Sequence, residues 1–209
     1  MKKKLNKHKI GDTIQFGGYD WLVLEVKNDK MLILSNKVIE NRRYHNIEGR
    51  ITWAKCELHY YLNNEFYNMF NIHEKMQIIE TCITTNNNPW FETEGGNMVN
   101  DKIFLLSIEE VVKYFGDSGD LKNRKGWYWD NNELILKDEN GYYLNDQYNN
   151  ERIAKDNNGM ASWWWLRSPG NSNLRVVRVR DVGTICVHGS VTRGLSCAGG
   201  IRPALWLNQ

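Results

Sequence analysis

The sequence contains no long apolar run, and this absence argues against a protein that crosses a membrane with helices. No stretch approaches the roughly 20 consecutive apolar residues that a membrane-spanning helix needs. Lysines crowd the first ten residues, but no apolar segment follows them, so they do not form a secretion signal. We therefore expect no membrane span and no signal peptide, which favours a cytoplasmic location.

Cysteine is also scarce, and its spacing indicates no site. The four cysteines show no C-x-x-C pairing, which argues against zinc and, without a signal peptide, against a disulfide framework. The formal net charge is only +2, so the field of the whole molecule does not favour a nucleic-acid partner. Tryptophan is abundant by contrast, with nine copies, and buried indoles suit a compact fold with much irregular structure.

Signatures of catalysis are missing as well. The five histidines do not combine with carboxylates at a metal-binding spacing. Neither a phosphate-cradling glycine loop nor a nucleophile elbow is present. We therefore predict that the protein is not an enzyme and that it holds no cofactor and no metal.

The N-terminal part of the chain predicts β structure. Three apolar runs, at residues 14–16, 21–26 and 31–34, are separated by Gly17-Gly18 and by Asn28-Asp29, which are typical turn pairs. The second run is continuous rather than alternating at its start. This pattern indicates a strand that is covered on both faces.

Two helices are predicted next. Thr52 is a candidate N-cap for apolar residues that recur at helical spacing as far as Phe66. Asn71 and Glu74 resemble a capping box, in which each residue's side chain bonds the other's backbone. We expect the helix that begins there to continue through Ile79.

The middle of the chain combines a third helix with two long polar segments. Ser107 and Glu110 form the S-x-x-E pattern of a capping box, and Gly116 is placed to end the helix. Residues 84–99 and 117–159 are rich in Asn, Asp and Gly. We expect both segments to be loops inserted into the scaffold, and loops of this length are usually functional or mobile.

The C-terminal quarter is framed by two motifs, which are WWWLRSPG at residues 163–170 and GIRPAL at residues 200–205. Between them, glycines punctuate short runs that predict β structure. Arg178 and Arg180 alternate with valines, which places the arginines on one face of a strand and the valines on the other. We predict a tightly turned sheet anchored by the two motifs.

These motifs, together with FGGYDW at residues 16–21, YLNNEFY at 61–67 and DKIFLLS at 101–107, resemble a domain family of bacteria and their phages. The C-terminal pair also resembles the variable proteins of diversity-generating retroelements. That resemblance implies an α+β chain with a C-type-lectin-like fold of the formylglycine-generating-enzyme variety. Short helices would then pack on small, irregular antiparallel sheets joined by long loops.

The same resemblance implies how the protein works. In retroelement systems, a reverse transcriptase rewrites one stretch of the gene from a template copy and places mutations at template adenines. The scaffold stays constant while the side chains of a ligand-binding surface change. Such a protein would be cytoplasmic or associated with a phage particle, and would reach a cell surface only through a partner.

The residue content of positions 171–199 agrees with this implication. Randomising both adenines of an AAC-type codon never yields Lys, Glu, Gln, Met or Trp. Those five residue types fill 49 of the 209 positions, yet none of them occurs at 171–199. β structure rich in Gly and Val also disfavours Lys and Glu. Diversification and the residue preferences of β structure therefore both remain explanations of the absence of these five residue types.

We expect a single domain over residues 1–209. It comprises a basic tail (1–10), a scaffold (11–170), a variable ligand-binding region (171–199) and a closing strand (200–209). Side chains can be exchanged freely only where they point to solvent and contribute little packing energy. The predicted ligand-binding residues are Asn171, Asn173, Leu174, Arg175, Arg178, Arg180, Val182, Thr184, Cys186, His188, Ser190, Thr192, Arg193, Leu195 and Ser196.

The arginines of this set favour a protein or an acidic glycan as the partner, because a guanidinium forms two parallel hydrogen bonds with a carboxylate. Two alternatives stay open. One is a lectin-like module that is not diversified and binds one fixed ligand. The other is a copper oxidase of the formylglycine-generating type, for which Cys186 and Cys197 are the candidate ligands. Calcium-dependent sugar binding is not expected, since 171–199 contains Asp181 but no Glu.

Overall fold

The computed structural model describes residues 8–47, 49–124, 127–130, 133–136, 142–192 and 198–208. In these ranges short helices and small sheets alternate along the chain, so the predicted α+β class is confirmed. The buried apolar side chains form one core cluster, to which both of the larger sheets contribute. None of the helices in these ranges has the length and apolar character needed to cross a membrane.

The N-terminal strands form where the sequence predicts them. β1 (Thr13–Phe16), β2 (Tyr19–Lys27) and β3 (Lys30–Ser35) pair as an antiparallel meander. The two glycines between β1 and β2 both have positive φ, which explains why glycine occupies this turn. Val23 and Leu24 are both buried, but the pairing register with β3 shifts between Val23 and Glu25, so their burial does not show that both faces of β2 are covered. Coverage of this strand on both faces stays a prediction.

Strands from distant parts of the chain complete this sheet. β5 (Ile78–Ile79) and β17 (Ala204–Asn208) add to it, and the strand order is β1-β2-β3-β17-β5. All of its pairs are antiparallel. Because β17 lies between β3 and β5, this sheet joins the N-terminal meander to the C-terminal end of the chain.

The first predicted helix begins later than expected. Trp53–Lys55 is a 3-10 turn, and the Thr52 side chain makes no capping hydrogen bond. The backbone becomes extended again at Cys56, whose sulfur accepts a backbone N–H of the following turn at 3.3 Å. The helix α1 (Glu57–Tyr61) starts only there and continues as a π-helical turn at Leu62–Phe66. Thr52 as the N-cap of this helix is therefore wrong.

The second helix has the predicted start and a different end. At the N-terminus of α2 (Ile72–Gln77), Asn71 Oδ1 accepts the Glu74 N–H at 3.0 Å and Glu74 Oε2 accepts the Asn71 N–H at 2.8 Å. The helix does not continue through Ile79, because the backbone is extended at Ile78 and both isoleucines pair with β17 as β5. The predicted C-terminal turn is wrong for this reason.

The third helix agrees with its prediction at both ends. In α3 (Ile108–Phe115), Ser107 Oγ accepts the Glu110 N–H at 3.2 Å, and Glu110 Oε2 accepts the Ser107 N–H at 2.9 Å. Gly116 ends the helix with a φ of 118°. The capping box and the glycine stop are both confirmed.

The segment 117–159 is not the simple loop that its polar composition predicts. Arg152 is fully buried, pairs with Asp146 at 2.9 Å and donates to the Gly116 carbonyl at 2.9 Å, so it ties the segment to the end of α3. Such internal partners allow regular elements to form. They are α4 (Asp120–Asn123), β8 (Trp127–Asp130), β9 (Glu133–Leu136), β10 (Tyr143–Leu144), α5 (Asn149–Arg152) and β11 (Ala154–Lys155).

The segment 84–99 is irregular as predicted, but its middle is buried rather than free. Asn88 exposes none of its surface. Its side-chain amide donates to the carbonyl oxygens of Pro169 at 2.7 Å and Val187 at 2.9 Å, and its Oδ1 accepts the Trp90 N–H at 2.9 Å. Asn88 therefore braces the C-terminal sheet from outside it.

Replacing Asn88 with alanine should lower the free energy of unfolding by about 2–4 kcal/mol, because it strips partners from buried carbonyl and amide groups. Asn88→Asp should lower the free energy of unfolding by at least as much, since a carboxylate would face two carbonyl oxygens. Urea denaturation followed by tryptophan fluorescence measures both. Asn86→Ala, at an exposed position of the same segment, is the matched control and should cost less than about 0.5 kcal/mol. Equal small losses at 86 and 88 would contradict the bracing role.

The larger sheet builds the C-terminal half of the protein. Its strands besides β10 are β4 (Glu40–Arg42), β13 (Trp164–Pro169), β14 (Arg175–Val179), β15 (Ile185–Val191) and β16 (Gly199–Ile201). The order of the six strands is β10-β15-β14-β13-β16-β4. Its pairs are antiparallel except β13 with β16, which run parallel. Two-stranded pairs join β6 (Thr81–Ile83) to β7 (Val99–Asp101) and β11 to β12 (Ala161–Ser162).

Candidate ligand-binding face

The opening C-terminal motif is fixed by its indoles. Trp164 and Trp165 on β13 are fully buried. Their Nε1–H groups donate to the carbonyl oxygens of Arg152 at 3.2 Å and Arg42 at 3.1 Å, respectively. A buried indole N–H needs such a partner. Each tryptophan thereby joins β13 to a distant part of the chain.

Arg167 on the same strand joins the sheet to α3. Its guanidinium forks Glu110, with Nη1–Oε2 at 2.5 Å and Nη2–Oε1 at 2.9 Å. It also donates to the carbonyl oxygens of Leu105 at 2.6 Å and Thr84 at 3.2 Å. The neighbouring Ser168 Oγ accepts an N–H from the first turn of α3 at 3.0 Å. The arginine and the serine of the motif therefore have structural roles, because both form hydrogen bonds with other parts of the chain.

The closing motif contains a second buried arginine. Arg202 lies over the rings of Trp164 at 4.7 Å and Phe115 at 5.8 Å, and its Nε donates to the Ser35 carbonyl at 3.1 Å. It forms no ion pair with any carboxylate in the described ranges. Burial lowers the pKa of Arg202. Two ring faces and a carbonyl dipole stabilise its charge instead. These contacts hold the closing motif against the core.

Between the two motifs, β14 and β15 form a two-sided hairpin. Val177, Val179 and Val187 are fully buried in the core. Arg178 and Arg180 are half-buried and reach solvent. The predicted separation of valines and arginines onto opposite faces is confirmed. The hairpin therefore offers a fixed inner side and an accessible outer side.

The structure divides the predicted ligand-binding residues into four groups by their surroundings. The exposed ones are Asn171, Leu174 and Val182. The half-buried ones are Asn173, Arg175, Arg178, Arg180, His188 and Ser190. The buried ones are Thr184, Cys186 and Thr192. The remaining three, Arg193, Leu195 and Ser196, lie outside the described residues.

The three buried positions correct the sequence-based expectation. Thr184, Cys186 and Thr192 expose only 7%, 2% and 5% of their surfaces, so their side chains cannot be displayed to a ligand. Cys186 is covered because it lies in register between Tyr143 on β10 and Arg178 on β14. Burial raises the pKa of its thiol. These residues belong to the scaffold of the hairpin.

Two of the arginines stack on aromatic rings. The guanidinium carbon of Arg178 lies 4.6 Å from the Trp163 ring centre, and that of Arg180 lies 5.2 Å from the Tyr143 ring centre. Tyr143, Cys186 and Arg178 are register partners, so their side chains share one face of the sheet. We call this surface the Arg-aromatic face. Its members are Tyr142, Tyr143, Trp163, Arg178, Arg180 and His188.

His188 completes the face next to the second tyrosine. Its ring lies 4.8 Å from the ring of Tyr142, and its Nδ1 lies 3.8 Å from Cys186 Sγ. Burial lowers the pKa of His188, and the charge of Arg175 lowers it further. The imidazole is therefore neutral at pH 7 and leaves the positive charge of the surface to the arginines.

The charge of the hairpin is uncompensated within the described part of the chain. Arg175, Arg178 and Arg180 form no ion pair with a described carboxylate, although Arg175 Nη1 donates to the Gly189 carbonyl at 3.0 Å. The Nε atom of Arg178 is buried and has no hydrogen-bond partner there. Asp181 is the sole acidic residue between positions 171 and 199. The surface therefore carries positive charge that suits an anionic group of a ligand.

The sequence alone does not place the aromatic members of the face in the site. Tyr142 and Tyr143 come from the polar segment that was predicted as a loop, and only the pairing of β10 with β15 brings them to the arginines. Trp163 belongs to a recognised motif, but no local pattern shows that its ring supports Arg178. These contacts form only in the tertiary structure, so no local sequence pattern indicates them.

A concavity of about 300 Å³ lies at the opposite edge of the same sheet, beside β4. Arg42 there lies 3.5 Å from the Tyr61 ring centre and pairs with Glu40 at 3.2 Å. Arg43 donates to Asn46 Oδ1 at 2.6 Å. Because Arg42 already pairs with a carboxylate of the chain, whereas Arg178 and Arg180 pair with none in the described ranges, the Arg-aromatic face is the better candidate for a ligand.

Comparison with known proteins gives one match. The model of a family described as a domain of unknown function, DUF6273, matches residues 28–209. Neither a curated protein nor a solved structure matches the chain. The matched range includes both C-terminal motifs and every member of the Arg-aromatic face.

Proposed function

The chain belongs to the DUF6273 family of domains of unknown function, and we propose that it is a ligand-binding protein with a C-type-lectin-like fold. In this proposal, residues 171–199 carry a surface that a retroelement diversifies. Binding specificity then changes from copy to copy while the scaffold stays constant. The partner, a protein or an acidic glycan, meets the outer side of β14 and β15.

The observation that carries the proposal is the two-sided hairpin. Its inner valines are buried, and the motifs on either side hold it through Trp165, Arg167 and Arg202. Side-chain exchange at the outer positions Arg178, Arg180 and His188 costs little packing energy, because these residues are only half-buried. The absence of Lys, Glu, Gln, Met and Trp from residues 171–199 supports the proposal independently.

The architecture supports the lectin-like part of the proposal. Short helices pack with small, mainly antiparallel sheets, and long irregular segments connect them. Those segments are held by buried polar groups such as Asn88 and Arg152. A scaffold of this kind keeps the hairpin backbone constant when the outer side chains change.

Arg178→Ser and His188→Ser should each change the free energy of unfolding by about 1 kcal/mol or less, because these side chains contribute ring contacts but little core packing. Urea denaturation checks this result. Val177→Ser, on the inner side of the same strand, is the matched control and should cost about 2–4 kcal/mol, since it loses apolar burial and buries a hydroxyl. A loss at position 178 as large as that at 177 would remove the distinction between display and scaffold.

Two other functions were open from the sequence. A module with one fixed ligand would share this surface and would differ only in its gene, so the hairpin geometry favours neither version. For a copper oxidase, Cys186 is buried with a raised thiol pKa, and its candidate partner Cys197 lies outside the described residues. No observation in the described ranges favours that second reading.

A further inference from the structure

The concavity beside β4 lies between two segments of the chain that the fold holds together. Arg42 ends β4 and is followed by Arg43 and Asn46, and the other lining residues, Glu57, Leu58 and Tyr61, belong to α1. The Leu58 N–H donates to the Tyr44 carbonyl at 3.2 Å and so joins the two segments. The volume, about 300 Å³, is in the range of sites for small molecules.

One side of the concavity is fixed by contacts within the chain. The guanidinium carbon of Arg42 lies 3.5 Å from the Tyr61 ring centre, and Arg42 pairs with Glu40 at 3.2 Å. The Tyr61 hydroxyl also donates to Glu40. Leu58 and Tyr61 are both buried, so the parts of them that line the concavity give it an apolar base. The charge of Arg42 is therefore already compensated on this side.

Two other charges, of opposite sign, line the same concavity. Arg43 Nη1 donates to Asn46 Oδ1 at 2.6 Å, which leaves further N–H groups of its guanidinium for a ligand. Glu57 is 49% exposed, and its Oε2 lies 4.0 Å from His45 Nδ1 without a hydrogen bond between them. In the described ranges no ion pair joins Arg43 to Glu57 or to another carboxylate. A cation and an anion thus face one space without contacting each other.

This charge pattern favours a ligand that carries both signs of charge. A carboxylate can accept two parallel N–H groups of Arg43, and an ammonium group can donate to Glu57. A ligand with only a negative charge would meet repulsion from Glu57, and one with only a positive charge would meet repulsion from Arg43. The apolar base formed by Leu58 and Tyr61 adds a contact for a hydrocarbon group. An α-amino acid with an apolar side chain combines these three parts.

We propose that the concavity beside β4 binds a free α-amino acid with an apolar side chain, whose carboxylate pairs with Arg43 and whose ammonium group pairs with Glu57. The concavity lies at the opposite edge of the sheet from the Arg-aromatic face. The inference therefore goes beyond the proposed function and does not require that residues 171–199 bind a ligand or that the gene be diversified.

An NMR titration of the ¹⁵N-labelled full-length protein with three probes tests the proposal. The probes are L-leucine, L-leucinamide, which lacks the carboxylate, and N-acetyl-L-leucine, which lacks the ammonium group. We expect L-leucine to bind at least about tenfold more tightly than either analogue, because only it pairs with both charges. The backbone amides of Asn46 and Leu58 should shift as the site fills. Equal affinity for the three probes, or no saturable shift with L-leucine, would overturn the proposal.

Substitutions of the two charged residues assign each contact. Glu57→Gln should weaken binding of L-leucine by about tenfold but should not weaken binding of N-acetyl-L-leucine. Arg43→Gln should weaken binding of L-leucine by about tenfold but should not weaken binding of L-leucinamide. Losses of equal size for all three probes, or unchanged L-leucine binding in variants that unfold like the wild type, would overturn the proposal.

Control variants test whether the effect belongs to this concavity. Arg50→Gln and Glu65→Gln remove the same charges at exposed positions that do not line it, and each should change the affinity for L-leucine less than about twofold. Arg178→Ser, on the Arg-aromatic face, should also leave this affinity within about twofold. A larger loss in the Arg178→Ser variant would place L-leucine on that face and overturn the proposal.

Discussion

Replacing Trp165 with alanine should lower the free energy of unfolding by about 3–5 kcal/mol, which is the range for truncating a fully buried tryptophan. The side chain exposes none of its surface. Its ring packs edge-on against Tyr44 at 5.7 Å and Trp163 at 4.8 Å, and its Nε1 donates to the Arg42 carbonyl at 3.1 Å. Truncation therefore opens a cavity and leaves the Arg42 carbonyl without this donor. Urea denaturation followed by circular dichroism measures the loss.

The control for this substitution is another tryptophan of the same protein. Trp206 on β17 is half-buried and has Lys30 over its ring at 4.8 Å. Trp206→Ala should cost about 1–2 kcal/mol, since part of its ring already faces water. If Trp165→Ala kept the wild-type midpoint, or cost no more than Trp206→Ala, the WWWLRSPG motif would not be an anchor of the sheet.

Arg167→Ala should also lower the free energy of unfolding by about 3–5 kcal/mol, because it removes one partner of a largely buried ion pair. The substitution breaks the fork to Glu110 and two hydrogen bonds to the carbonyl oxygens of Leu105 and Thr84. Arg167→Lys should recover only part of the loss, since an ammonium group cannot fork a carboxylate. Thermal and urea denaturation of both variants check this order.

An exposed ion pair supplies the comparison for Arg167. Lys113 pairs with Glu25 at 2.6 Å, but its side chain is 59% exposed. Lys113→Ala should therefore cost less than about 1 kcal/mol. Similar losses at positions 113 and 167, or full stability in the Arg167→Lys variant, would contradict the structural role of the motif arginine.

The sequence predicts best where one short segment decides the structure. The capping boxes at Asn71 and Ser107 form because both partners lie within one helical turn. The end of α2 depends on a distant strand instead. Ile78 and Ile79 continue a helical pattern in sequence, yet they pair with Trp206 and Leu207, which the pattern cannot show.

In the candidate site too, the sequence predicts what one strand decides and not what depends on neighbouring strands. Alternation along β14 predicts correctly that Arg178 faces outward and Val177 inward. Alternation cannot reveal that Cys186 is covered, because its burial depends on neighbours from β10 and β14. The stacking of Arg180 on Tyr143 likewise depends on a strand inside the segment that was predicted as a loop.

Residue composition misleads most clearly in the polar segments. Asn88 lies in a run of asparagines and threonines that is typical of an exposed loop, yet it is fully buried and bonds two strands of the sheet. Arg152 lies in an equally polar segment and is buried beside Asp146. Side chains that satisfy buried backbone groups have the same composition as side chains that face water, so only the tertiary structure distinguishes them.

Sequencing the DNA around the gene tests the proposal that residues 171–199 are rewritten as a unit on a constant scaffold. We expect a reverse transcriptase gene and a near-copy of the codons for 171–199 that differs from them only where the copy has adenine. Among related isolates, the differences should fall at outward positions such as Arg178, Arg180 and His188, while the codons for Trp165, Arg167 and Arg202 stay constant. A neighbourhood without such a copy, or differences spread evenly over the chain, would show that the region is not diversified by a retroelement.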